Sequence, residues 1–273
     1  MNPYQPVPAE LVEIIEESPT ITTYRLSPEK PIPFATGQFV ELCVPGVGEA
    51  PFTPSSSPLV KEEMEISIMH VGEVTNHLKE KTQVGDVLGV RGPYGEGYPL
   101  EEFKGKDVYI AGGGVGLAPL RSLIYALLAD IDSYKNVRVK FGARNPEAII
   151  YKDEVEKWLK GDELELQLTV DSAEDYPDWD GEEGVVTTIM EDPDADIESG
   201  VSVVCGPPIM MKFATLKLLD MGYDPDQIYL SMEKNMSCGV GKCGHCGIGP
   251  YYVCKHGPVM TYDKLEDYDE VFD

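Results

Sequence analysis

Asp107-Val-Tyr-Ile-Ala-Gly-Gly-Gly-Val-Gly-Leu-Ala-Pro119 sets a short apolar run directly before a glycine turn and an apolar-periodic segment. Asp107–Ala111 reads as a buried strand, Leu117–Leu128 as a helix, and Gly112–Gly116 as the turn between them. A tight turn alone would explain the glycines. Opening a βα unit, however, they put backbone amides and a helix N-terminus where a pyrophosphate binds. The pattern then repeats: strand Val137–Phe141, helix Glu147–Leu159, strands Leu164–Val170 and Val201–Cys205, helix Ile209–Met221, strand Ile228–Met232. Strands alternating with helices at these lengths predict a parallel sheet with crossover helices. Its fourth strand runs into Cys205-Gly-Pro-Pro208. Cysteine is ordinarily a core residue, but ligands of open α/β sheets gather at strand carboxyl ends. Cys205, Gly206 and Pro207 are therefore candidate contacts on the nicotinamide side.

Upstream the rhythm is different. Ala9–Ile15, Ile21–Leu26, Phe39–Val44, Met64–Met69 and Val87–Val90 read as short strands punctuated by glycine and proline. That spacing predicts a small antiparallel barrel over residues 1–102, ahead of the α/β domain at 103–232. One helical pattern interrupts it at Val74–Lys81.

Downstream, residues 233–273 hold four of the six cysteines, spaced Cys238-x4-Cys243-x2-Cys246-x7-Cys254. A C-x4-C-x2-C start with a distant fourth cysteine is the plant-type [2Fe–2S] ligand pattern. Gly239, Gly241, Gly244 and Gly247 let the backbone pass close to such a cluster. A structural zinc site is the other reading, because a four-residue first gap lies at the edge of its range and His245 and His256 are nearby.

The chain of 273 residues is 42% apolar and carries 22 Lys and Arg against 48 Asp and Glu, formally −26. Such a balance argues against nucleic acid and anionic lipid as partners. The acidic residues are spread along the chain, as in a solvated surface; an acidic docking face is the sharper alternative. No apolar run is long enough to span a membrane. The opening Met1–Pro6 has neither a basic nor an apolar signal region, so a cytoplasmic location is expected.

The order barrel, Gly112-Gly-Gly-Val-Gly-Leu-Ala-Pro119, Cys205-Gly-Pro-Pro208 and cysteine loop resembles the ferredoxin–NADP reductase superfamily over essentially the whole chain. More narrowly it is similar to the iron–sulfur-carrying branch. That branch holds gamma subunits of cytoplasmic [NiFe] (sulf)hydrogenases, together with the electron-transfer subunits of anaerobic sulfite reductase and of dihydroorotate dehydrogenase. Cys238-Gly-Val-Gly-Lys-Cys-Gly-His-Cys246, Tyr252-Val-Cys-Lys255, Gly257-Pro-Val259 and the opening Met-Asn-Pro-Tyr resemble the hydrogenase gamma subunits in particular.

The resemblance implies FAD, a [2Fe–2S] cluster held by Cys238, Cys243, Cys246 and Cys254, and NAD or NADP. The family's Arg-x-Tyr-Ser flavin motif falls on Ala50-Pro-Phe-Thr53, with no arginine. Phe52 then packs on the flavin ring and Thr53 stands near its reactive nitrogen, which makes Thr53 and Cys205 the implied catalytic contacts. Gly72-Glu-Val-Thr75 resembles the pyrophosphate-binding Gly-x-x-Ser/Thr, bringing in Gly72, Val74 and Thr75, while Met69, His70 and Val71 run past the ribityl chain and ring. Gly113, Gly114, Val115 and Gly116 are implied to hold the nicotinamide cofactor's pyrophosphate, and Arg144 and Asp171 its adenosine ribose. Gly92-Pro-Tyr-Gly95 also matches a family segment.

A nicotinamide gives two electrons at once and a [2Fe–2S] cluster takes one, so a flavin between them is the converter. The implied function is an NAD(P)H diaphorase subunit wired to a catalytic redox partner, hydrogenase first, sulfite reductase or dihydroorotate dehydrogenase after it. A rival of another class is a non-enzymatic subunit whose zinc-holding tail serves only protein binding.

Overall fold

The computed structural model describes residues 2–272; Met1 and Asp273, the outer ends of the expected domains, lie outside them. The chain forms two compact units. The first holds the N-terminal region through Tyr98, together with Ala118–Ala126 and Met232–Val259, and the second holds Pro99–Leu117, Leu127–Ser231 and the chain from Met260.

The first unit is built on strands β1 (Val7–Ser18), β2 (Ile21–Pro28), β3 (Phe39–Val44), β4 (Gly48–Phe52), β5 (Met64–Met69) and β6 (Val87–Tyr94), with helix α1 (Glu73–Lys81) between the last two. They pair antiparallel in the order β4-β3-β6-β1-β2-β5. Inward-facing Leu11, Leu26, Leu42, Ile66, Ile68 and Val90 form one core, which Leu78 of α1 joins. Each such aliphatic side chain contributes about 2 kcal/mol on leaving water. Beyond β4 the Ser55 N–H donates to the Glu65 carbonyl at 2.8 Å, bringing the two edges of the sheet together.

Strand β4 is not among the strands expected from sequence. Its five residues include glycine and proline, both poor strand formers, and Pro51 is tolerated because β4 is an edge strand that needs few N–H donors.

In the second unit α2 (Leu100–Phe103) precedes β7 (Asp107–Gly113); the chain then runs through α3 (Leu117–Leu128), whose Ala118–Ala126 counts with the first unit, and returns as β8 (Asn136–Ala143), α4 (Lys152–Lys160), β9 (Glu165–Val170), β10 (Glu182–Glu183), β11 (Val201–Cys205), α5 (Pro208–Met221) and β12 (Ile228–Ser231). The sheet order is β10-β9-β8-β7-β11-β12, parallel, with β15 (Val259–Thr261) at its far edge. The chain moves outward from β7 through β8 and β9, then returns to β11 on the other side of β7. The carboxyl ends of β7 and β11 are thus a topological switch point.

The helix expected at Glu147–Leu159 is corrected to Lys152–Lys160. Pro146–Ala148 is a 3-10 turn capped by the Asn145 side chain, and Tyr151 takes a left-handed conformation (φ 54°) that breaks any continuous helix.

Near the other end of this sheet charge is buried. The Lys140 ammonium, 1% exposed, donates to Gln167 Oε1 at 2.8 Å and pairs with Asp192 at 3.1 Å. Arg138 stands 3.5 Å from the fully buried Asp107 and donates to the Asp194 carbonyl. These groups pin the loop preceding β11.

Candidate functional site

The cysteine segment carries the hairpin β13 (Gly247–Ile248) and β14 (Tyr251–Tyr252) and the short helix α6 (Val253–His256). Cys238 and Cys243 interact side by side, as do Cys246 and Cys254. Among the described residues no group of three or more His, Cys, Asp or Glu is disposed to hold a single metal ion. Cys254 also feels the charge of Cys238, so the two pairs lie within reach of each other.

Backbone amides point at them. Val240, Lys242 and Cys243 N–H donate to Cys238 Sγ at 3.4, 3.3 and 3.5 Å, and Gly241 N–H donates to Cys254 Sγ at 3.1 Å. Gly239, Gly241 and Gly244 hold φ of 69°, 71° and 83°, which lets the loop curl round with its amides inward. Burial alone would raise the Cys238 thiol, but the amides outweigh it and bring it to about 6. Cys254 is pushed up to about 12, first by burial and then by Cys246. A site rich in sulfur-directed amides fits thiolates carrying an iron–sulfur cluster.

The loop is anchored on the N-terminal sheet by residues the sequence reading did not single out. Arg91 of β6 is 4% exposed, and its Nη1 donates to the Cys238 carbonyl at 3.2 Å. Its Nε donates to Glu49 of β4 at 2.8 Å, and a second bond from Nη2 makes that pair bidentate. Glu41, 1% exposed, lies 3.9 Å from Arg91, and a Cβ on Gly239 would come within 3.0 Å of its Oε1. Neither Glu41 oxygen has a hydrogen-bond partner among the described residues. Burial pushes its carboxyl up to about 7 against the opposing charge of Arg91. Gly95 is bare where its Cβ would strike the Gly257 carbonyl. Gly92-Pro-Tyr-Gly95, the end of β6 and the bend after it, is therefore a seat for the cysteine segment. A charged residue inside the apolar run Phe39–Val44 was the available signal for Glu41.

The flavin candidates gather in the same unit. Gly48 meets Val74 of α1, which sets β4 beside the start of that helix. Gly72 is the N-cap and brings no side-chain oxygen, so the Glu73 and Val74 amides receive no side-chain cap from it. That is the chemistry a phosphate completes. Thr75 does not project freely: its hydroxyl accepts from Val71 and Gly72 N–H and donates to the Gly72 carbonyl, bracing the turn. His70 is likewise braced, Nδ1 against the Thr75 carbonyl and Nε2 against Thr22 Oγ1, both at 2.9 Å. Met69 and Val71, by contrast, are 37% and 76% exposed, apolar surface beside the open helix start.

Phe52 and Thr53 are half-buried at the end of β4. The chain just after them is held by Arg121 of α3, which donates to the Ser55 carbonyl at 3.3 Å and to Glu65 Oε2 at 2.5 Å. Burial would raise the Glu65 carboxyl, but hydrogen bonds and charge from Arg121 and Arg25 hold it below the usual carboxylate range.

In the second unit the two loops at the switch point lie against each other, Cys205 pairing with Gly112. A Cβ on Gly116 would meet the Cys205 carbonyl at 2.5 Å, and one on Gly206 would meet the Gly113 carbonyl at 3.0 Å. Gly113–Gly116 and Cys205–Pro207 thus pack together as one glycine-lined cradle at the start of α3, with no space for a side chain at Gly116 or Gly206. Cys205 is buried. Arg144 and Asp171 are exposed at the ends of β8 and β9, linked by an Asp171 N–H to Ala143 carbonyl bond of 2.9 Å, on the opposite side of β7 from Cys205. Thr53 and Cys205 belong to different units.

Three families match in series: the oxidoreductase FAD-binding domain over residues 8–98, the oxidoreductase NAD-binding domain over 110–215, and the iron–sulfur cluster binding domain of dihydroorotate dehydrogenase B over 233–266. The gamma subunit of sulfhydrogenase 2 from Pyrococcus furiosus is 34% identical, with 96% of each chain covered. The probable electron transfer subunit of dihydroorotate dehydrogenase B (NAD(+)) from Methanocaldococcus jannaschii is 33% identical over 96% of this chain and 92% of that one. Among solved structures, one of the NADH-dependent reduced ferredoxin-NADP oxidoreductase superposes with a TM-score of 0.74 at 26% identity, covering 95% of this chain and 91% of the other. The chain belongs to the family of sulfhydrogenase gamma subunits and dihydroorotate dehydrogenase B electron-transfer subunits, oxidoreductases in which FAD-binding, NAD-binding and iron–sulfur domains follow one another.

Proposed function

We propose that this chain is the NAD(P)H-linked diaphorase subunit of a cytoplasmic [NiFe] hydrogenase complex, with FAD and one [2Fe–2S] cluster. The observation that carries the reading is the amide-lined set of two cysteine pairs seated on the unit that also presents the flavin segments. A two-iron cluster takes two thiolates per iron, which suits pairs. Full-length similarity to a sulfhydrogenase gamma subunit supports the choice of hydrogenase. We take the meeting of Ser55 and Glu65 as the closure of an antiparallel barrel, and 1–102, 103–232 and 233–273 as the three functional divisions.

When bound, the flavin supplies the conversion between two-electron and one-electron transfer. The chain's own residues do the positioning. The Glu73 and Val74 amides receive the flavin pyrophosphate, and Met69 and Val71 cover apolar surface of the flavin. Thr75 and His70 keep that turn in shape, while Arg121 and Glu65 fix the backbone that carries Phe52 and Thr53. Gly113–Gly116 admit the nicotinamide cofactor's pyrophosphate, Cys205–Pro207 border its nicotinamide, and Arg144 and Asp171 reach its ribose. Cys238, Cys243, Cys246 and Cys254 hold the cluster, with Arg91 fixing the first of them through its carbonyl.

Similarity to a dihydroorotate dehydrogenase subunit favours a second reading in which that enzyme is the partner. Tagging the chain in its source organism, purifying it anaerobically and sequencing the co-purifying subunits separates the two. Hydrogenase large and small subunits are expected. A dihydroorotate dehydrogenase catalytic subunit in their place would overturn the first reading.

A further inference from the structure

The carboxyl edge of the parallel sheet changes character on moving outward from the glycine cradle. Gly113 pairs with Gly142 of β8, and Gly142 with Thr169 of β9. Asp171 therefore stands two strand spacings, about 10 Å, from the line of β7. That is within the span of the adenosine half of a dinucleotide whose pyrophosphate lies in the cradle. The Asp171 N–H donates to the Ala143 carbonyl at 2.9 Å and the Ser172 N–H to the Arg144 carbonyl at 3.3 Å, which ties the ends of β8 and β9 together. Thr169 Oγ1 donates to the Gly184 carbonyl at 2.7 Å and fixes β10 beside them. Glu183 of β10 turns back onto the same bend, its Oε2 accepting the Ala173 N–H at 3.3 Å. Glu147, in the turn after β8, accepts the Tyr176 hydroxyl at 3.1 Å. Between Asp171 and Gly184 the chain has no Lys or Arg, while Asp171, Glu174, Asp175, Glu182 and Glu183 are all exposed. Among the described residues neither the Arg144 nor the Asp171 side chain has a hydrogen bond or an ion pair, so both are open to a ligand.

We propose that this chain takes NADH in preference to NADPH, and that Asp171 decides the choice: the 2′-hydroxyl of the adenosine ribose donates to its carboxylate, whereas Asp171 and Glu183 together repel a 2′-phosphate. The proposal rests on the reading that Gly113–Gly116 seat the cofactor's pyrophosphate. A ribose 2′-hydroxyl is a donor that suits a carboxylate. A 2′-phosphate brings close to two negative charges at neutral pH, and like charges set side by side across an interface are strongly disfavoured. Arg144 alone would favour the phosphate, as a guanidinium does. Here it shares the rim with Asp171, Glu183 and Glu147, so the local balance stays negative.

The test uses the anaerobically purified holoprotein and two pairs of probes that differ only by the 2′-phosphate. NADH and NADPH are compared by the concentration dependence of flavin bleaching, and ADP-ribose and 2′-phospho-ADP-ribose by calorimetric titration. At low salt both pairs favour the unphosphorylated member at least about tenfold. The gap narrows at about 0.5 M salt, as repulsion between exposed charges must. Asp171→Ser weakens ADP-ribose about tenfold by removing a charged hydrogen-bond partner and tightens its phosphorylated analogue, so the ratio shrinks from both sides. Glu183→Gln keeps the shape of the bend and narrows the ratio through the phosphorylated probe alone. Both side chains are exposed, and an unchanged circular dichroism spectrum shows that the variants are folded. Equal or tighter binding of the phosphorylated members, or a ratio that Asp171→Ser does not move, overturns the proposal. If no member of either pair binds, the reading of the cradle fails and the proposal with it. Binding of both members without preference removes the specificity alone.

Discussion

The first unit fastens its cofactor segments with buried arginines, whereas the second fastens its own by removing side chains. Arg91 joins Glu49 to the Cys238 carbonyl, and Arg121 joins Glu65 to the Ser55 carbonyl. At the nucleotide loop the equivalent task falls to Gly116 against Cys205 and Gly206 against Gly113. The second unit does bury charge, at Lys140, Arg138, Asp107 and Asp192, but on the loop before β11 rather than on the glycine cradle. Charged anchors hold at a distance through long side chains and respond to charge and pH. Steric anchors bring backbones together and respond to one added methyl group. The two halves should therefore fail in different ways.

The largest effect is expected at Arg91. Arg91→Ala leaves Glu41 buried and Glu49 without its bidentate partner, which costs about 3 kcal/mol or more. Denaturant unfolding should show that loss, with iron content falling and nucleotide affinity preserved. Arg91→Lys should recover part of the stability but less of the iron, because an ammonium cannot make the paired bonds. Equal tolerance of alanine and wild type would remove the charged anchor from the account.

Gly116→Ala comes next and attacks the steric side. The added methyl has no free volume against the Cys205 carbonyl, so overpacking of about 1–3 kcal/mol should appear at the cradle. Calorimetry should find NAD(P)H affinity lowered at least about tenfold, with the iron and flavin spectra unchanged. Gly244→Ala is smaller and isolates conformation from space. Nothing lies within 4 Å of a Cβ there, yet φ is 83°, so about 1 kcal/mol of strain is expected. The measurement is loss of iron during dilution, modestly faster than wild type.

The smallest effect is a slope. Glu65 has a folded-state carboxyl held below its ordinary 4.5, so it lends stability that is whole above about pH 4.5 and disappears as pH falls through the lower folded value. Glu65→Gln should flatten the acid limb of the unfolding curve while leaving the neutral plateau slightly lower. An unchanged acid limb would show that the Arg121–Glu65 pair does not contribute.

The contrast also explains what was legible in the sequence. Steric anchors are glycines inside local motifs, and Gly112–Gly116, Cys205–Pro207 and the cysteine spacing could all be read along the chain. The charged anchors join residues far apart: Arg91 and Cys238 are separated by 147 positions, Arg121 and Glu65 by 56. No local pattern encodes such a meeting, and each arginine taken alone resembles a surface residue. Strand β4 stayed hidden because an edge position excuses its proline. The start of α4 slipped because the left-handed Tyr151 has no periodic signature. Thr75 and His70 were expected as flavin contacts, and their bracing of the turn before α1 carries no local sequence signature.

The most direct test of the relay is anaerobic purification with iron and sulfide analysis, followed by visible and EPR spectra before and after adding NADH or NADPH. About two irons and two sulfides per chain are expected for the plant-type pattern. A flavin band that bleaches and a rhombic EPR signal that appears on reduction would complete the prediction. Zinc in place of iron, or no bound flavin in the anaerobic protein, would contradict it.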